Sequence, residues 1–198
     1  MDLETLFVSE ALRDDFNGAL YVPQLAANSS SCIEKTKGLI PANVTRLQDL
    51  PASSCPYIAF TPWVSRNCTR HFIKAAKRDD ASAAVVYMAS SNSTTSVPSA
   101  DSEAWEAGDG SLFDTEETFP VYAIPGGSGR DLAHWLARYS GTLSDAPHSD
   151  QLAQKYDNRS QIRVFATVHL GAAMPPHFAD GLFVHSRPVA NMKWYAMA

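Results

Sequence analysis

Ala81-Ser-Ala-Ala-Val-Val-Tyr-Met88 is apolar at nearly every position and β-branched at its centre. A segment with no polar face fits a strand covered on both sides, the setting of a parallel sheet flanked by helices. Ahead of it, Phe72, Ala75 and Ala76 fall at helical spacing within residues 69–79. Thr69 offers its hydroxyl there as an N-cap, and Lys74, Lys77 and Arg78 stand towards the C-terminal end, where cations suit the helix dipole. Tyr57-Ile-Ala-Phe60, closed by Thr61-Pro62, reads as a buried strand before that helix. A second unit repeats the plan: a strand at 119–124, a turn at Pro125-Gly-Gly-Ser-Gly129, and a helix with Leu132, Trp135, Leu136 and Tyr139 on one face. Residues 161–169 alternate apolar and polar and read as a half-buried strand. This order calls for a mixed α/β fold, a sheet with helices packed against it.

The rest of the chain is less regular. Leu6-Phe7-Val8 and Gly18-Ala-Leu-Tyr-Val22 read as extended, with Pro23 blocking continuation as a central strand. Residues 27–56 are loop-rich. A long loop spans 90–118, and its second half carries Asp101, Glu103, Glu106, Asp109, Asp114, Glu116 and Glu117 with no base between them. Residues 172–198 show no clear period and are expected to be an irregular tail.

At 198 residues one domain is the default, and a core of that size needs no metal or bridge to fold. The net charge of −5, with no Lys/Arg cluster, argues against nucleic acid as a partner. The longest apolar run, residues 83–89, is far short of the roughly 18 residues of a membrane span.

The asparagines bear on compartment. Five of seven head an Asn-x-Ser/Thr sequon: Asn28, Asn43, Asn67, Asn92 and Asn158. With 32 Ser and Thr in the chain, chance would place roughly one. The excess fits a glycoprotein of the secretory or endosomal–vacuolar lumen, or an extracellular one. Asp2 and Glu4 stand where an export signal wants cations, so the chain is expected to lack its native leader. Cys32, Cys55 and Cys68 have no zinc spacing, and an odd count in an exported chain suggests one bridge and one leftover thiol, with three pairings open.

No segment carries a catalytic pattern. Gly126-Gly-Ser-Gly129 lacks the glycine at 130 of a nucleophile elbow and the glycine at 132 of a dinucleotide turn; Arg130 and Leu132 stand there. It reads as a strand-to-helix turn with Ser128 as N-cap, leaving an anion at the helix N-terminus open. The six histidines are scattered, and the acidic loop lacks calcium-ligand spacing, so no metal or cofactor is expected. Trp63 and Trp105, in expected loops, are either packed lids or exposed anchors for a partner.

Several of these segments together resemble a protease-associated (PA) domain. They are Tyr57-Ile-Ala-Phe60, then Arg66-Asn-Cys-Thr69 with its helix, then Asp80-Ala-Ser-Ala-Ala-Val-Val-Tyr87. Gly18-Ala-Leu-Tyr-Val22 followed by Cys32 looks like the family's opening strand and first cysteine, and Phe119-Pro-Val-Tyr-Ala-Ile124 like its Pro-Val segment. Asn67 stands near the family's usual glycine, Asp80 replaces the glycine of Gly-Ala, and Arg70 sits where Phe is common. The resemblance covers residues 5–170, leaving 171–198 as the tail, and implies a PA-like β-sandwich or open barrel with flanking helices. It also implies a Cys32–Cys68 bridge, with Cys55 free.

Within the family, Leu6-Phe-Val-Ser-Glu-Ala-Leu-Arg13, Pro120-Val-Tyr-Ala-Ile-Pro-Gly126 and Ile162-Arg-Val-Phe-Ala-Thr167 look most like the lumenal half of fungal PA–transmembrane–RING ubiquitin ligases. In those, a membrane span and a zinc-binding RING follow the last PA strand; residues 172–198 hold neither. The resemblance therefore implies a non-enzymatic domain that recruits protein or peptide cargo, joined to a membrane only through a segment outside this chain. The rival expectation is the accessory PA domain of a secreted or vacuolar peptidase, and a third is a glycan-binding module using Trp63 and Trp105.

Overall fold

The structure is a computed structural model and describes residues 2–7, 16–50, 56–99, 102–105, 120–142, 144, 150, 163–170 and 190–197. In chain order the elements are β1 (Asp2–Phe7), β2 (Phe16–Tyr21), α1 (Ser30–Thr36), β3 (Tyr57–Trp63), α2 (Arg66–Arg78), β4 (Ala83–Met88), β5 (Val121–Ile124), α3 (Gly126–Arg138), β6 (Arg163–Leu170) and β7 (Ala190–Met197). The strands pair in the order β1-β5-β4-β3-β2-β6-β7, and β7 returns to β1, closing a ring. β2, β3, β4 and β5 are parallel neighbours. β1, β6 and β7 pair antiparallel. The fold is thus mixed α/β, with a four-stranded parallel block and helices. The expectation of an irregular tail is corrected at Ala190–Met197, which pairs along all eight residues of β6. This added strand closes the ring, where the resemblance implies a β-sandwich or open barrel. No helix among the described residues is long and apolar enough to cross a membrane.

The parallel block is buried on both faces, as its apolar sequence requires. A side-chain period of two sorts its residues into two cores. Leu20, Ile58, Phe60, Val85, Tyr87, Tyr122 and Ile124 pack with Leu132 and Leu136 of α3. Tyr21, Ala59, Trp63, Ala84, Val86, Met88 and Ala123 pack with Ile73 and Ala76 of α2 and with Trp105. Burial pushes the Tyr87 hydroxyl up to about 12, with Arg130 opposing. The phenol therefore keeps its proton and donates to the Leu39 carbonyl at 2.9 Å.

Both expected N-caps are corrected. α2 starts at Arg66, and the Ser65 hydroxyl accepts from the Cys68 amide at 3.4 Å, while Thr69 is turned into the core. Ser65 precedes the first helical residue and so faces the orphan amides; Thr69 already lies a turn inside. α3 starts at Gly126 with Pro125 at the cap, and Ser128 instead donates to the Thr94 carbonyl at 2.9 Å.

Asp80, which follows α2, has φ 58°, the left-handed conformation that glycine adopts without penalty. It is the position at which the PA pattern carries glycine. Aspartate is among the few other residues that tolerate this conformation. Asp80→Gly is expected to raise the unfolding free energy by about 1 kcal/mol, read from urea titration. A fall instead would mean that the Asp80 side chain contributes more than its backbone costs.

Candidate functional site

Residues 22–50, together with Phe72 of α2, build a groove on the surface. After β2 the chain runs through a 3-10 turn, Ala27–Ser29, into α1. A helix of seven residues has no stability of its own in water. It is held by the Cys32–Cys68 disulfide, which joins it to the first turn of α2 with Cα atoms 5.3 Å apart. Thr36 closes the helix internally, donating to the Cys32 carbonyl at 2.8 Å. The Ser29 hydroxyl lies 3.1 Å from His71 Nδ1, a second tie between the two helices.

Residues 40–50 form the opposite wall. The Arg46 amide donates to Asp49 Oδ2 at 2.8 Å, and its guanidinium donates to the Val22 and Pro23 carbonyls at 3.2 and 3.3 Å. Arg163 on β6, itself buried, donates to the Asp49 carbonyl at 2.9 Å and to the Ser140 and Gly141 carbonyls at 3.1 and 3.2 Å. Burial lowers the pKa of both guanidiniums and Asp49 opposes the shift. Both remain cations, so their donors are charge-assisted. Asn43 adds a bond to the end of α3, its side-chain amide donating to the Ala137 carbonyl at 3.0 Å.

Between these walls lies a groove of about 630 Å³. Leu25, Ile33, Ile40 and Phe72 give it an apolar lining, and Glu34, Lys37 and Arg46 supply charge. Ile33 is 40% exposed on its edge, and Leu47, between the lining residues Arg46 and Gln48, is 37% exposed. These are the exposed large apolar side chains among the described residues.

The Cys32–Cys68 pairing implied by the resemblance is present; Cys55 lies outside the described residues. Asn28, Asn43, Asn67 and Asn92 are all exposed, and Asn158 lies outside the described residues. Trp63 and Trp105 are not brought to the groove. Trp63 belongs to β3 rather than a loop, and the two rings meet edge-on with centroids 5.1 Å apart. Both are buried, and the Trp105 indole donates to the Ser99 carbonyl at 2.9 Å. They are packed lids; the exposed-anchor reading fails because neither ring reaches the surface.

The glycine turn before α3 also has a packing explanation. A methyl group at Gly126 would meet the Met88 and Ser91 carbonyl oxygens, and one at Gly129 would enter the Tyr87 ring. The Gly127 amide, which an anion would use, donates to the Ser93 carbonyl at 2.7 Å. Arg130 holds the same loop through the Ala89 and Ser91 carbonyls and Asn92 Oδ1. Among the described residues no group of three His, Cys, Asp or Glu is placed to hold a metal ion.

The groove residues escape a motif search, since they come from β2's exit, α1, the 40–48 segment and α2. One signal was available: Ile33 is a lone large apolar residue in the polar run Ser-Ser-Cys-Ile-Glu-Lys. No family model, curated protein or solved structure matches the chain.

Proposed function

We propose that this chain is a non-catalytic, lumenal binding domain of the PA type, which holds a protein or peptide cargo in the α1 groove. Within that reading it is the cargo-recruiting part of a membrane RING-type ubiquitin ligase. The observation that carries the proposal is the groove itself, a trough of mixed apolar and charged lining edged by Ile33, with one wall tied down by a disulfide. A trough with a cross-linked wall binds with less ordering of that wall, which leaves more of the contact energy for affinity. The parallel block, the left-handed residue at the family's glycine position and the exposed sequon asparagines support the same reading. The Ser29–His71 contact does not suggest a nucleophile, because Ser29 is only 4% exposed.

A random-peptide phage library panned against the oxidised, immobilised domain tests the proposal. Enriched peptides are expected to carry apolar anchors. Ile33→Asp is expected to weaken them about tenfold or more, the loss of one buried aliphatic contact, without shifting the melting temperature. A library that yields no binder, or binders indifferent to Ile33→Asp, would overturn the groove as the site. Peptide hydrolysis abolished by His71→Ala would overturn the non-catalytic part.

A further inference from the structure

We infer that Asn67 accepts a glycan only before α2 folds and the Cys32–Cys68 bridge closes, so that glycosylation and oxidation compete for one short stretch of chain. The inference rests on the lumenal reading above. Its starting point is a pair of hydroxyls. Thr45 and Thr69 are both fully buried, and neither hydroxyl has a hydrogen-bond partner among the described residues. A buried hydroxyl without a partner is a cost to folding, and valine would fill the same space without it. Yet each is the third residue of an acceptor triplet, Asn43-Val-Thr45 and Asn67-Cys-Thr69. The folded domain has no use for these hydroxyls; a transferase reading the extended chain does.

Asn67 carries a further constraint. It lies in the first turn of α2, and the middle residue of its triplet is Cys68, which is buried in the bridge. Once the bridge forms, the triplet is helical, its centre is covalently tied to α1 and its hydroxyl is sealed. The reverse order is permitted, because the Asn67 side chain faces solvent and a glycan there leaves Cys68 free to turn inward. Asn92-Ser-Thr94 is the internal contrast. It lies outside any helix or strand, with Asn92 and Thr94 both exposed.

Two reactions compete. In glycan transfer, the Asn67 amide nitrogen forms a bond to the sugar anomeric carbon of a lipid-diphosphate-linked oligosaccharide. The anomeric carbon–phosphate bond breaks, the lipid diphosphate leaves, and one amide proton is lost to a base. In bridge formation, the Cys32 and Cys68 thiols lose two protons and two electrons to a lumenal protein disulfide, which is reduced to a dithiol. The first reaction does not prevent the second; the second prevents the first.

The test is to express the chain behind a cleavable export leader in a eukaryotic host and measure site occupancy by glycopeptide mass spectrometry. The comparison is wild type against the double variant Cys32→Ser, Cys55→Ser, which leaves the Asn67 triplet intact and Cys68 without an intrachain partner. Asn92 is expected to be filled equally in both. Asn67 is expected to be partly filled in wild type and at least twofold fuller in the variant. Equal Asn67 occupancy in the two proteins overturns the inference while leaving the lumenal reading intact. An empty Asn92 in both overturns the lumenal reading itself. A second measurement needs no glycosylation: unglycosylated, oxidised Thr69→Val is expected to melt at or above the wild-type temperature. A fall of several degrees would show that the fold uses the hydroxyl and overturn the argument from Thr69.

Discussion

Replacing both Cys32 and Cys68 with alanine is expected to lower the unfolding free energy by about 4 kcal/mol. The two residues are 36 apart in sequence. Closing a loop of that length removes chain entropy worth about that much from the unfolded state. Urea titration of the variant, and of wild type with and without reductant, measures it. The two routes should agree, since both remove the same cross-link. The loss falls unevenly on the structure. α1 is too short to persist alone, and without the bridge its described tie to α2 is the Ser29–His71 contact. The groove wall bearing Ile33 should therefore loosen before the barrel does, and peptide binding should fall in reductant at urea concentrations where the sheet is intact. A loss below about 1 kcal/mol would mean that the unfolded chain is already held compact around these cysteines.

Trp105→Ala is expected to cost about 3–5 kcal/mol, the range for deleting a fully buried aromatic ring. The ring is wholly buried, sits edge-on to Trp63, and its indole donates to the Ser99 carbonyl. The cavity would open beside Ile73 and Ala76 of α2, which share this core. Trp105→Phe should recover the greater part of the loss, because the hydrogen bond is the smaller contribution. Calorimetric melting of the three proteins decides it. A neutral Trp105→Ala would mean that the ring lies outside the cooperative core, and the packed-lid description would fail.

The parallel block could be read from the sequence because continuous apolar runs are unusual outside such sheets. The runs at 57–60 and 81–88 contain most of β3 and all of β4. Helix positions were legible too, but their first turns were not. Arg66 and Asn67 show no apolar face, so the eye starts the helix at the next candidate cap, whereas the chain starts it where Ser65 can meet the Cys68 amide. α1 was missed because two apolar residues, Cys32 and Ile33, make no period. A cross-link, not local preference, holds it. β7 was missed although Ala190, Met192 and Trp194 alternate with Asn191 and Lys193. That signal is brief, and its meaning depends on partners almost thirty residues back and at the far end of the chain. The groove was invisible for the same reason, since its walls meet only in space.

The narrowest seam of the ring lies between β1 and β7. β1 meets β7 at two register pairs, Asp2 with Asn191 and Leu3 with Ala190, whereas β6 meets β7 at eight. Asp2, the first described residue, lies at that seam, whereas Met197, the last, pairs with Arg163 at the far end of β7. A tag, fusion or truncation at residue 2 thus strains both of the pairings that close the ring. Such a change would part the cylinder lengthwise and leave the four parallel staves, with the groove beside them, standing.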